Sequence, residues 1–351
     1  MPRRTYAALL SELSRWRSGS VSNWQVPYWG NPLAAGIFPL CVVAEERVFP
    51  IGTAFVISHL GIVCSAMHNV HEALKRERRG NTLLSMLRLP KNYSVRDIGL
   101  FVLHHHRLPS GQISLALWPL DKMHAIPPTD IVFATARFQS LFPFLQMPVS
   151  FGFPRIGSRV ICLGYDSFEF PEEGIDLAEI QNESFDWGSR SDVRLMAVEG
   201  EISNIFVEQF AAGFLTGPCF SVNCAVAHGQ SGGPVINGDG YVCGVISAGA
   251  DTFFGYPTTL VSALYPSLVC NIDLRLSGVG FQVDAAQPIF SLVQSGNLRT
   301  DGTEALARCE KDGAGWRVDP LIHREDAPFV FPDFRGFSDG RRANPTAPFD
   351  D

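Results

Sequence analysis

The chain has 351 residues, a formal net charge of −7 and 46% hydrophobic side chains, enough for two packed units with appendages. Its acidic balance, with no basic cluster larger than Lys75-Arg76-Glu77-Arg78-Arg79, argues against a nucleic-acid footprint. No run reaches the roughly eighteen apolar residues of a spanning helix, and Arg3 and Arg4 lead into no signal-like apolar stretch, which excludes a membrane partner and favours a cytoplasmic location.

Residues 5–16 carry Tyr6, Leu9, Leu10, Leu13 and Trp16 at helical spacing, which predicts a short helix docked on the main body. A loop with Gly19, Pro27, Gly30 and Pro32 follows. From there the chain reads as strands: 26 phenylalanines and many Val/Ile pairs favour β structure, and 32 glycines with 24 prolines imply many turns. Strand-like runs occupy 36–43, 51–58 and 61–66. The last two are joined by a His59-Leu60-Gly61 turn and deliver His68 where a strand gives way to a short helix over Asn69 to Lys75. Further runs lie at 82–88, 98–105, 112–118 and 130–137. His104-His105-His106 reads as a solvent-exposed strand end, since adjacent strand residues point to alternate faces. His68 and His71 lack the further ligands a structural metal site needs, so no metal and no cofactor is expected.

The stretch 166–190 is acidic and irregular, with Glu169, Glu172, Glu173, Asp176, Glu179, Glu183 and Asp186. It reads as an inserted, mostly solvated surface loop with no calcium-loop spacing. Strands resume at 193–202 and 218–222 and lead into Ala227-His228-Gly229-Gln230-Ser231-Gly232-Gly233-Pro234. Glycines around a serine let the backbone turn tightly and free the Gly229 and Ser231 amides to face one developing oxyanion. A hairpin follows through Gly238-Asp239-Gly240, then a closing strand at 257–261. Residues 285–310 read as one helix-like patch, and Arg324 to Asp351 as a flexible tail. The eight cysteines (Cys41, Cys64, Cys162, Cys219, Cys224, Cys243, Cys270, Cys309) form no CxxC pair and are expected as buried free thiols.

Three motifs in order carry a resemblance. Gly52-Thr53-Ala54-Phe55-Val56-Ile57 with Ser65-Ala66-Met67-His68, an Asp-Ile-Val-Phe-Ala strand start at Asp130, and Gly229-Gln230-Ser231-Gly232-Gly233-Pro234 together resemble the chymotrypsin/trypsin-like serine peptidases. Ser65 and Met67 depart mildly from the usual T-A-A-H. The resemblance covers about 36–270 and implies an all-β fold of two antiparallel β-barrels, with a short N-terminal helix and an irregular C-terminal extension. The implied divisions are an extension over 1–30, a first barrel over 31–142, a second over 143–276 and the extension 277–351.

It further implies a serine endopeptidase acting on a protein or peptide substrate, with Ser231 as nucleophile, His68 as general base and the Gly229 and Ser231 amides as oxyanion donors. Two aspartates, Asp97 and Asp130, each open an apolar strand. Asp130 is preferred, because only Gln139 to Pro148 separate its strand from the Gly157–Tyr165 run with which the second barrel would begin. Ala225, His228, Ser247 and Gly249 would line the substrate cleft. Without an acid at Ala225, cleavage after Lys or Arg is not expected. A small or apolar P1 side chain is the first expectation, and a polar or acidic one, favoured by His228, is the second. A non-catalytic peptide-binding module on the same fold remains the alternative.

Overall fold

The computed structural model describes residues 23–26, 32–44, 46–76, 99–107, 113–125, 129–136, 144–166, 171, 173–182, 184–185, 193–206, 215, 217–250, 256–274, 286–312 and 315–320. The helix expected over 5–16, the run at 82–88, Asp97 and the tail from Arg324 lie outside them.

After a short strand β1 (Asn23–Val26), the first barrel is built from β2 (Ile37–Ala44), β3 (Arg47–Val56), β4 (Ile62–Ala66), β5 (Leu100–Arg107), β6 (Ile113–Ala125) and β7 (Ile131–Ala136), with helix α1 (Met67–Arg76) after β4. Its strands follow the order β2-β5-β6-β7-β4-β3 and close through the antiparallel β2–β3 pair. The second barrel holds β8 (Arg159–Tyr165), β10 (Leu195–Phe206), β11 (Cys219–Val222), β12 (Pro234–Asn237), β13 (Val242–Ala250) and β14 (Thr258–Ala263), with β9 (Ile175–Asp176) and helix α2 (Leu177–Gln181) between β8 and β10. Its order β10-β11-β14-β13-β12-β8 closes through β8–β10. The fold is therefore all-β, two closed six-stranded antiparallel barrels of the chymotrypsin-like kind.

In the first barrel β2, β4 and β7 read as near-continuous apolar runs because both of their faces are largely buried. Along β2 and β3, Phe38, Leu40, Val42, Ala54 and Val56 fill the barrel interior. Their neighbours Ile37 and Phe55, with Ile62 and Cys64 of β4, turn the other way into a core shared with the second barrel, against Leu163, Tyr165, Val245 and Ile246. The period-2 alternation of a strand thus serves two cores at once, and the barrels meet along the side of the sheet that carries β3 and β4.

Four sequence expectations change. The stretch 166–190 is not simply a solvated loop. Ile175 pairs with Val48, and Ile175, Ile180 and Phe185 are buried against Cys41, Val48 and Leu103. Its apolar residues, few among the acids, return the chain to the first barrel. Within the expected N-terminal loop, β1 joins the second barrel by pairing with β10 (Trp24 opposite Ala197). His104 is a core residue, 1% exposed, accepting a hydrogen bond from Trp118 Nε1 at 3.3 Å and tilted against Phe38 at 5.0 Å. The helix-like patch is broken into the short α3 (Ile289–Gln294) and a 3-10 turn over Thr303–Leu306, preceded by the β15 (Asn271–Ile272) and β16 (Gln287–Pro288) pair and followed by a β17 (Ala307–Asp312) and β18 (Gly315–Pro320) hairpin. The C-terminal flank of α3 ties into the turn after β3 and the connection before β8: Ser58 Oγ donates to the Asn297 carbonyl at 2.7 Å, and Phe151 N to Thr303 Oγ1 at 2.8 Å.

Candidate active site

β4 runs straight into α1, so His68 stands in the first helical turn rather than at a strand end. A helix start leaves amides without intrahelical partners, and Asp130, on the residue preceding β7, supplies them. Its carbonyl accepts from Met67 N at 3.1 Å and its Oδ1 from His68 N at 2.8 Å. Its other oxygen, Oδ2, lies 2.6 Å from His68 Nδ1. A carboxylate accepts only, so this contact places the imidazole proton on Nδ1 and leaves Nε2 with a free lone pair. The carboxylate side chain is 14% exposed and the imidazole 41%, so the ring is open to a reactant while its orienting partner is shielded. Among the described residues, no three His, Cys, Asp or Glu side chains converge as metal ligands would.

Ser231 follows a 3-10 turn over His228–Gln230 and precedes Gly232, whose φ of +85° is the left-handed conformation that glycine tolerates. The turn is braced by Gln230, whose Oε1 accepts from Ala227 N at 2.8 Å. β8 passes close beneath it: a Cβ on Gly164 would lie 2.7 Å from the Gln230 Cα. The serine carbonyl is held from the other barrel, accepting from Thr53 N at 2.8 Å and from Asn69 Nδ2 at 2.9 Å.

The expected oxyanion amides are not both open. Ser231 N donates within the turn to the His228 carbonyl, at a long 3.5 Å. Gly229 is buried and its carbonyl accepts from Thr53 Oγ1 at 2.8 Å. Of the expected cleft residues, Ala225, His228 and Gly249 are exposed and Ser247 is buried. Ser247 shares a 2.8 Å hydrogen bond with Ser262 Oγ across the β13–β14 pair. A Cβ on Gly249 would lie 2.9 Å from the Val226 carbonyl, so β13 and the segment before the Ser231 turn approach closely there.

The residues that sequence reasoning passed over are Thr53, Ser65 and Asn69. Thr53 and Ser65 belong to motifs that were legible, but their hydrogen-bond roles depend on the opposite barrel. Asn69 gave no signal beyond its place after His68.

No family model matches the chain, and no curated protein does. Among solved structures it is similar to the MamO protease domain from Magnetospirillum magneticum in the apo form, with 15% identity, TM-score 0.38, and 66% of this chain and 94% of that one covered. It is also similar to the Rv3671c protease from M. tuberculosis in its active form (15% identity, TM-score 0.39, 78% and 94% covered). A third likeness is to the HtrA-type protease AlgW with a decapeptide (14% identity, TM-score 0.38, 66% and 61% covered). The double-barrel assignment rests on the strand pairing rather than on these scores.

Proposed function

We propose that the chain is a serine endopeptidase in which Ser231 is the nucleophile, His68 the general base and Asp130 the group that orients it. The observation that carries this reading is the Asp130–His68 pair at 2.6 Å on the helix start, in a barrel whose next residue, Asn69, holds the Ser231 carbonyl. In this reading Ser231 Oγ attacks a peptide carbonyl as its proton passes to His68 Nε2. That proton goes to the leaving amine, the acyl-enzyme forms, and water reverses the sequence to release the acid.

Stabilising the tetrahedral oxyanion requires the Ser231 amide to exchange the His228 carbonyl for the substrate oxygen. The length of that internal bond, 3.5 Å, supports an easy exchange, because hydrogen bonds weaken steeply beyond normal length. The close approach of Gly249 to Val226 and the absence of an acid at Ala225 support a small or apolar P1 side chain, and the exposed His228 supports the polar or acidic alternative. Seven described cysteines are free and buried, including Cys162 and Cys224 with sulfurs 3.9 Å apart, which supports the reducing cytoplasm as the location.

The turned-in Ser231 amide favours one second reading, a peptide-binding module without turnover. Labelling by a fluorophosphonate, alongside hydrolysis of a peptide library, separates the two. The expected outcome is labelling of the wild type and none of Ser231→Ala, with strong loss in His68→Ala and Asp130→Asn and wild-type behaviour in Asp97→Asn. A folded wild type that is not labelled supports the binding module. Loss in Asp97→Asn but not in Asp130→Asn reassigns the acid, and dominant cleavage after Lys or Arg overturns both P1 readings.

A further inference from the structure

The nucleophile loop belongs to the second barrel, but its carbonyls are gripped by the first. Thr53 N and Asn69 Nδ2 both donate to the Ser231 carbonyl, at 2.8 and 2.9 Å. Thr53 Oγ1 donates to the Gly229 carbonyl at 2.8 Å and accepts from Tyr165 N of β8 at 2.9 Å. Ser65 Oγ donates to the Thr53 carbonyl at 2.7 Å and accepts from the same Asn69 amide at 3.3 Å. Thr53, Ser65 and Asn69 are 0%, 4% and 2% exposed, so this network works in a desolvated setting, where satisfied hydrogen bonds are stronger and an unsatisfied one is costly.

The backbone around the carboxamide is cut to its shape. A Cβ on Gly52 would lie 2.3 Å from Asn69 Nδ2. One on Gly232 would lie 2.2 Å from the Thr53 carbonyl, 2.3 Å from Ser65 Oγ and 2.7 Å from Asn69 Nδ2. Both glycines make room for one side chain, and that side chain follows His68 directly.

We propose that Asn69 is a positioning residue that sets the separation of the general base and the nucleophile across the barrel interface. This rests on the reading of Ser231 and His68 given above. His68 is carried on the start of α1 and fixed by Asp130, so a hydrogen bond from the adjacent residue to the Ser231 carbonyl ties the two reacting groups through one short path with a single non-covalent link. The chemistry of the position selects a neutral donor. An aspartate there would set a carboxylate against the Ser231 carbonyl, and a leucine of similar size would remove the donor without emptying the space. Misplacement of a catalytic pair by about 1 Å costs on the order of a hundredfold in rate, whereas the same shift leaves a peptide bound elsewhere along the cleft almost untouched.

The test uses the full chain and compares wild type with Asn69→Leu and Asn69→Ser. The measurements are kcat and KM on a peptide ester, the rate of fluorophosphonate labelling, and the thermal melting midpoint. The expected result for Asn69→Leu is a tenfold to hundredfold fall in kcat and a matching fall in labelling rate, with KM within about twofold of wild type. Asn69→Ser, which keeps a shorter donor, recovers part of that loss. Where Asn69→Leu has no native melting transition, Asn69→Ser carries the same comparison against wild type. Wild-type kcat and labelling rate in a folded variant overturn the proposal, as does a loss that appears in KM alone. An unlabelled wild type overturns the reading of Ser231 itself, so the two failures are distinguishable.

Discussion

His68 shows how one carboxylate can hold a backbone amide and an imidazole ring together. Asp130 Oδ1 satisfies the His68 amide at the start of α1 while Oδ2 binds the ring at Nδ1. Asp130→Asn keeps the shape but presents an amide donor to one of these nitrogens and no charge to an imidazolium. A fall of on the order of ten-thousandfold in kcat, with KM little changed, is expected; steady-state kinetics on a peptide ester measure it, and a loss under tenfold contradicts the role. The His228 carbonyl is the second point at this scale. A peptide boronate that adds to Ser231 is expected to draw the Ser231 amide away from His228 and onto the adduct oxygen, visible in a crystal structure of the complex. An adduct with the 3.5 Å turn bond still in place contradicts the proposed exchange. As candidates, His68 and Ser231 stand out in the sequence because each sits in a local motif, whereas Asp130 is preferred over Asp97 by its place before the Gly157–Tyr165 run. The burial of His104 cannot be read there, since it comes from Trp118 and Phe38, on the two strands that pair with β5.

The elements that matter most to the site are β8 and the Ser231 turn. Gly164 on β8 has its missing Cβ 2.7 Å from the Gln230 Cα and 2.9 Å from the Gln230 carbonyl, both backbone atoms that cannot simply rotate away. Gly164→Ala is expected to displace the nucleophile turn, with a destabilisation of about 1–3 kcal/mol and a large loss of labelling rate. Denaturant unfolding together with labelling kinetics decides it, and unchanged values in both contradict the packing. Strand periodicity and turn residues made most of the strands readable, from β2 through β4, β7, β8 and β10 to β14. The short elements β1 and β9 stayed hidden because four or two residues carry no periodicity, and what makes them strands is the unpaired edge of β10 or β3.

Across the whole molecule, the first barrel is fastened to the segment after the second by a buried polar cluster. Lys122, at a bulge with φ of +25°, pairs with Asp273, whose side chain is 3% exposed. The Asp273 amide donates to His124 Nε2 at 3.2 Å, a bond only a neutral imidazole can accept. Burial pushes His124 down to about 4 from 6.5, with Asp273 opposing the shift and Lys122 adding to it. The unfolded chain therefore takes up a proton there between pH 6.5 and 4 that the native state refuses. The contribution is fully present above pH 6.5 and is lost as the pH falls through that window, by at most about 3 kcal/mol. His124→Asn keeps an acceptor without the titration, so its melting midpoint is expected to fall less steeply than that of wild type from pH 6.5 to 4. Parallel profiles contradict the assignment.

At this scale the apolar runs made the chain legible as strands, and their closure into two barrels was implied by the resemblance that the three motifs carry. The contacts between barrels and the closure by residues 297–303 were not legible, because they depend on pairs such as Ser58–Asn297 and Phe151–Thr303 that no local pattern announces. The central claim is that Ser231 is a nucleophile activated across that interface. Peptide mass spectrometry after reaction with a fluorophosphonate tests it most directly. One adduct on the peptide containing Ser231, formed more slowly in His68→Ala, is the expected result, and an unmodified Ser231 in folded protein, or an adduct on another residue that persists in Ser231→Ala, contradicts it.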